Sequence, residues 1–159
     1  MADFIPTGLY RTTSALPGLE EAVPSGVLVF VGQRPDGMRF VVRPSSNRNN
    51  RWFWSDPVLP LPEGGWMWTL RSLPAEGFYT LPETLEHARG GRWLKNTIVQ
   101  LGYNGAGRGI VFIAEAHDGE SRNVLEFASR GRTIDDELLD RLVRAPVLTV
   151  PMPPIVDPN

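Results

Sequence analysis

The chain has 159 residues, 42% of them apolar, with 16 Lys+Arg against 18 Asp+Glu for a formal net charge of -2. That length and apolar content suffice for one ordinary domain or two small ones sharing a core, and the near-balanced charge argues against a dedicated polyanion binder, whose footprint is a strongly basic domain. The lack of cysteine excludes disulfides, Cys-based zinc sites and thiol catalysis.

The first thirty residues carry no basic stretch followed by an uninterrupted apolar run, and no segment reaches the roughly 18–20 apolar residues that span a bilayer. Neither a cleaved signal nor membrane insertion is expected, and the expected location is cytoplasmic. The 16 glycines and 15 prolines fall mostly between short apolar runs, the pattern of many short strands joined by turns.

In chain order, Gly8-Leu9-Tyr10-Arg11-Thr12 opens the series. The run Val27–Val31 is continuously apolar and rich in β-branched residues, so it reads as a strand covered on both faces, and Gln33-Arg34-Pro35-Asp36-Gly37 supplies the turn into Met38–Val42. Ser45–Asn50 reads as a polar loop, followed by Arg51-Trp52-Phe53-Trp54, where alternation puts Trp52 and Trp54 on one face and Phe53 on the other. Residues 57–65 read as a connector. Trp66–Leu70 reads as a second aromatic strand.

The second half echoes the first. Gly77-Phe78-Tyr79 answers Gly8-Leu9-Tyr10, Asn96–Gly102 answers Gly26–Gly32, and Ile110–Ala114 and Val124–Ala128 follow as strands. Gly8 matches Gly77, Gly32 matches Gly102 and Phe40 matches Phe112 at offsets of 69, 70 and 72. Such drift fits loop insertions in a duplicated unit, and it also fits chance among Gly/Val-rich strands. Thr133 is the expected cap of an amphipathic helix over 134–144, with Ile134, Leu138, Leu139, Leu142 and Val143 on one face and Glu137/Arg141 and Asp140/Arg144 spaced for pairing. Pro146 ends it, and a Pro-rich tail follows that lies along its own domain or docks on a neighbouring subunit.

The expected organisation is an N-terminal β half (1–56), a connector and strand (57–76), a C-terminal β half (77–132), a helix (133–145) and an extended tail (146–159). The expected fold class is mainly β, two small SH3-like or otherwise barrel-like halves packed together, with a single β-sandwich or an α+β domain as the alternative.

No motif names a chemistry. Gly105-Ala106-Gly107-Arg108-Gly109 lacks the spacing of a dinucleotide loop and precedes a strand instead of a helix, so it reads as a hairpin loop. The histidines are His87 and His117. His117 beside Asp118 and Glu120 sits in an expected turn, which leaves a hydrolase of unknown class as a minor reading, and no metal or cofactor is expected.

The segment from Arg34 to Arg51 carries five arginines against one acid, and four tryptophans accompany it. Arginine and tryptophan dominate contact hot spots because each buries a large area with a directional polar handle. The candidate partner-binding residues are therefore Arg43, Arg48, Arg51, Trp52, Trp54, Trp66 and Trp68, weighed against the simpler reading that the rings are core and the arginines cover them. The expected function is a non-enzymatic interaction module: an adaptor, immunity-type inhibitor or assembly component. Its partner is another protein, or a second copy through the tail. A carbohydrate or single-stranded nucleic-acid binder is the alternative, the latter disfavoured by charge.

Overall fold

The computed structural model describes residues 4–54, 58–62, 64–86, 90–116, 124–148 and 150. The chain is mainly β. Its first half contains β1 (Gly8–Arg11), β2 (Leu28–Gln33), β3 (Arg39–Val42), β4 (Pro44–Arg48), β5 (Arg51–Trp54), β6 (Leu59–Pro60), a short 3-10 helix (Gly65–Thr69) and β7 (Arg71–Leu73). The second contains β8 (Gly77–Thr80), β9 (Leu85–Glu86), β10 (Arg92–Trp93), β11 (Ile98–Tyr103), β12 (Gly109–Ala116), β13 (Leu125–Phe127), β14 (Arg132–Thr133), α1 (Asp136–Arg141) and β15 (Val143–Arg144). Among the described residues no helix is long and apolar enough to cross a membrane.

The first of two larger sheets runs β6-β3-β2-β1-β7 and the second β13-β12-β11-β8-β15 with β14 also on β12, while β9-β10 and β4-β5 form two-stranded sheets. The two larger sheets share a pairing register. β1 sets Gly8 opposite Val31 and Tyr10 opposite Val29, while β8 sets Gly77 opposite Leu101 and Tyr79 opposite Val99. Next, Gly32 faces Phe40 in the first sheet and Gly102 faces Ile110 in the second. The residue in the place of Phe40 is thus Ile110, which corrects the match to Phe112 and brings the offset to 70. Even a side-chain bond recurs: the Tyr10 hydroxyl donates to Pro6 O and the Tyr79 hydroxyl to Ala75 O, each at 2.7 Å and each four residues back. In both halves a short helix precedes the last strand, and it ends on a tight turn, Leu70 N–H to Met67 O at 3.3 Å and Leu142 N–H to Leu139 O at 3.4 Å.

Among the described residues neither sheet closes into a barrel, because the end strands, β6 and β7 in the first path and β13 and β15 in the second, do not pair, so the barrel-like expectation does not hold. Burial on both faces of β2 has another origin. Val29 and Val31 enter the first core with Tyr10, Val41, Trp66 and Met67. Leu28, from the other face, enters the second core with Leu73, Tyr79, Leu101 and Tyr103. The halves therefore share apolar interior, worth roughly 2–3 kcal/mol for each large aliphatic side chain removed from water.

Polar ties follow the same seam. Leu28 N–H donates to Gly105 O at 2.9 Å, and the Tyr103 hydroxyl donates to Pro74 O at 2.6 Å. Arg11 clasps the Asp136 carboxylate with both amino groups, and Arg71 meets both oxygens of Asp140 at 2.9 Å. An ion pair as exposed as Arg71–Asp140 contributes about 0–1 kcal/mol, less than one large aliphatic side chain buried at the junction.

Local structure departs from expectation in four places. Residues 45–48, expected as loop, belong to β4. The 57–65 connector contains β6, which pairs Leu59 with Val41. Trp66–Leu70 is not a strand; Gly65–Thr69 is 3-10 helix. The C-terminal helix is shorter than expected and capped by Asp135, whose Oδ1 accepts the Leu138 N–H at 2.8 Å, while Thr133 lies in β14. Asp140 pairs with Arg71, not Arg144, and Val143 is exposed in β15. The Glu137–Arg141 pair is present at 3.9 Å.

The shared interior predicts that Leu28→Ala destabilises the whole chain by about 2–5 kcal/mol. Denaturant unfolding followed separately at Trp66 and Trp52 checks this. One shared, lowered midpoint is expected, and two separated transitions would contradict it.

Candidate functional site

The site begins with a hairpin that leaves the first sheet. β4 and β5 pair Arg48 with Arg51 around Asn49 and Asn50, whose φ values of 51° and 63° are both left-handed. A two-residue turn of that kind matches strand twist, and asparagine tolerates it better than other non-glycine residues. An irregularity between Pro44 and Ser46 shifts the register at the base of the hairpin, as a bulge that bends its strand does.

The tip of the hairpin rests on the second sheet. Asn50 Nδ2 donates to Gln100 Oε1 at 3.1 Å, and Gln100 Nε2 returns a bond to Asn49 O at 3.4 Å. A Cβ on Gly102 would stand 3.1 Å from Asn50 O, so the missing side chain leaves the room that the tip uses. Trp52 is the anchor: its indole Nε1–H donates to Tyr103 O at 2.7 Å, and its ring packs on the second core. Trp54 packs on the same core and tilts against Phe30, centroids 5.6 Å apart at 35°. Phe53 between them is the more exposed residue, as alternation predicts, at 48%, with the Arg48 guanidinium 5.9 Å from its centroid.

Between hairpin and sheets lies a groove of about 590 Å³, walled by Phe30, Trp52, Phe53, Trp54 and Phe78. Phe78 is 38% exposed and stacks on Phe127, centroids 5.4 Å apart and planes 21° from parallel. Among the described residues the lining holds one cation, Arg51, and one anion, Glu76. Glu76 Oε2 accepts the Trp52 backbone N–H at 3.4 Å, while its Oε1 is buried and has no hydrogen-bond partner among the described residues. Burial pushes the Glu76 carboxyl above the usual carboxylate range, with the Trp52 N–H and the Arg51 charge opposing.

Of the sequence candidates, Arg51, Trp52 and Trp54 converge on this groove. Arg48 stands on the hairpin but stacks on Phe53. Arg43 turns back to donate to Ala22 O at 3.3 Å, a tie within the first half. Trp66 is buried in the first core, its Nε1–H on Ser14 O at 3.1 Å, whereas Trp68 is 54% exposed and does not line the groove. A 3-10 helix advances about 120° per residue, so Trp66 and Trp68 do not share the face that a strand would give them. Phe30, Glu76 and Phe78 were missed. Alternation around the inward-facing Tyr79 was the signal available for Phe78.

The glycine-rich stretch makes the expected hairpin connection, residues 104–108 joining β11 to Gly109 at the start of β12, with Asn104 Oδ1 accepting the Ala106 and Arg108 N–H groups at 3.0 Å. His87, His117, Asp118 and Glu120 lie outside the described residues, and among the described residues no cluster of three metal-ligating side chains occurs. A second cavity, about 520 Å³, lies over the Arg11–Asp136 pair and is lined by Arg11, Thr12, Arg108 and Asp136. Arg11 holds the Asp136 carboxyl below its usual range, as befits paired charges that belong to the junction.

Comparison with known protein families, with curated proteins and with solved structures finds no match.

A raised Glu76 pKa fixes the sign of a pH effect. The folded state holds this proton more tightly than the unfolded chain, so stability falls as pH rises from the ordinary glutamate value of 4.5 through the raised value. Glu76→Gln is therefore expected to unfold at a higher denaturant midpoint than wild type at neutral pH, with the difference vanishing in acid. An equal difference at every pH would contradict the assignment.

Proposed function

We propose that the protein is a non-enzymatic interaction module that holds an extended, apolar segment of another protein in the groove between the β4–β5 hairpin and the second sheet. The observation that carries this reading is the set of aromatic rings gathered around one channel, with Phe53 and Phe78 substantially exposed. Aromatic-lined channels suit extended and proline-rich segments, whose backbone is already ordered before binding. The flanking Arg51 and Glu76 supply one donor and one acceptor for orientation.

The carboxylate favours a protein partner over a nucleic acid. Glu76 in the lining opposes a phosphate backbone, and a single arginine provides little counterion release.

The repeated strand order and register support a second element of the proposal, that the chain arose from an SH3-like unit present twice. In each half the path ends on a strand that follows a short helix and pairs with the first strand, Tyr10 opposite Ser72 and Tyr79 opposite Arg144. A shared topology confers no activity by itself, so the functional reading rests on the groove.

Quantitative affinity capture from the source cells tests it. Truncating an aromatic hot spot costs about 2 kcal/mol or more, on the order of a thirtyfold loss of affinity. A partner held by wild type and by Trp68→Ala but lost with Phe78→Ala is the expected result. Capture indifferent to Phe78→Ala would overturn the proposal.

A further inference from the structure

The chain itself carries a segment with the composition that the groove suits. After Val150 come Pro151-Met152-Pro153-Pro154-Ile155-Val156-Asp157-Pro158-Asn159, with four prolines, three large apolar side chains and one acid. Proline-rich sequence of this kind favours the extended polyproline conformation, which rises about 3.1 Å per residue, so these residues reach about 28 Å.

The chain leaves the second sheet beside the groove. β15 runs antiparallel to β8, pairing Val143 with Thr80 and Arg144 with Tyr79, and Ala145 N–H then donates to Phe78 O at 3.0 Å. Phe78 is a wall of the groove, and the next two residues of β8's approach, Gly77 and Glu76, line it too. Past Ala145 a tight turn, Val147 N–H to Ala145 O at 2.9 Å, lifts the backbone off the sheet edge. Val147, Leu148 and Val150 are then exposed by 58%, 89% and 70%, an uncovered apolar lead into the remaining residues.

Charge agrees with this placement. The acid of the segment is Asp157, and the cation of the groove is Arg51, which is exposed and forms no ion pair among the described residues.

We infer that residues 151–159 are an intramolecular occupant of the groove, their apolar composition suited to its aromatic walls and the charge of Asp157 complementary to that of Arg51. This inference rests on the groove being a binding site. An outside partner must then displace the segment, so the protein regulates its own binding. Tethering explains why a short segment suffices: a link of a few residues gives an effective concentration in the millimolar range, and a weak contact becomes well occupied.

The chain of 159 residues tests this directly. Since the protein has no cysteine, Pro158→Cys accepts a single bimane label, a dye quenched when it touches an indole. Strong quenching is expected, unchanged on serial dilution, relieved by Trp54→Phe and unaffected by Trp68→Phe. Synthetic peptide of sequence 151–159 in excess should restore the emission. Near-ultraviolet circular dichroism shows whether each variant keeps its packing.

Quenching that disappears on dilution assigns the groove to the segment of a second copy and overturns the intramolecular placement. Quenching absent, or indifferent to Trp54→Phe, overturns it as well. If that happens while partner capture still depends on Phe78, the segment inference fails and the groove stands. If both fail, the groove is not a binding site.

Discussion

The architecture depends on Trp52. Its indole is half-buried against the second core, and its N–H is satisfied by the carbonyl of Tyr103. An indole N–H left unpaired in such a place would cost roughly 1–3 kcal/mol, so the bond and the ring's burial stand or fall together. With the hairpin tip bonded to Gln100 and Trp54 packed beside it, that side chain fastens a hairpin that belongs by sequence to the first half onto the second. The gap beneath it becomes a channel with aromatic walls. Tyr103 is fixed in turn: its hydroxyl is bound to Pro74 O, and burial pushes its ionisation well above the ordinary tyrosine value, so it stays a neutral donor and holds the inter-half link.

The same constraint accounts for the shared interior. A unit of about fifty residues buries too little surface to be comfortably stable alone. Here β2 offers one face to each core, Val29 and Val31 to the first and Leu28 to the second. Phe30, on the Leu28 face, meets Trp54 at the groove instead of being covered completely. The aromatic channel is therefore a consequence of how the halves meet.

Much of this was legible in sequence where local chemistry decides. Val27–Val31 announced a doubly covered strand, Asp36-Gly37 a tight turn with Gly37 at φ 89°, and Trp52-Phe53-Trp54 an alternation that the structure keeps. The glycine matches located strand positions as well, because Gly8/Gly77 and Gly32/Gly102 hold corresponding places in the strand pairings. What failed was decided by tertiary contact. Trp66–Leu70 is aromatic enough to read as strand, yet Trp66 turns inward to Ser14 and Gly65–Thr69 closes into 3-10 helix. Ser45–Arg48 is polar enough to read as loop, yet cross-strand pairing with Arg51–Trp54 makes it a strand. Glu76 carries no local signature at all. Its role follows from burial beside a tryptophan twenty-four positions earlier in the chain, and no pattern within one segment reports that.

The hydrogen-exchange rates of the indole N–H groups, resolved by nuclear magnetic resonance, test the central claim most directly. With Trp52 fastened to Tyr103 and Trp66 to Ser14, both protons should exchange slowly, while the exposed Trp68 exchanges at close to the rate of a free indole. A Trp52 proton that exchanges as fast as that of Trp68 would mean that the hairpin is not seated on the second half, and that the groove does not exist as a preformed site.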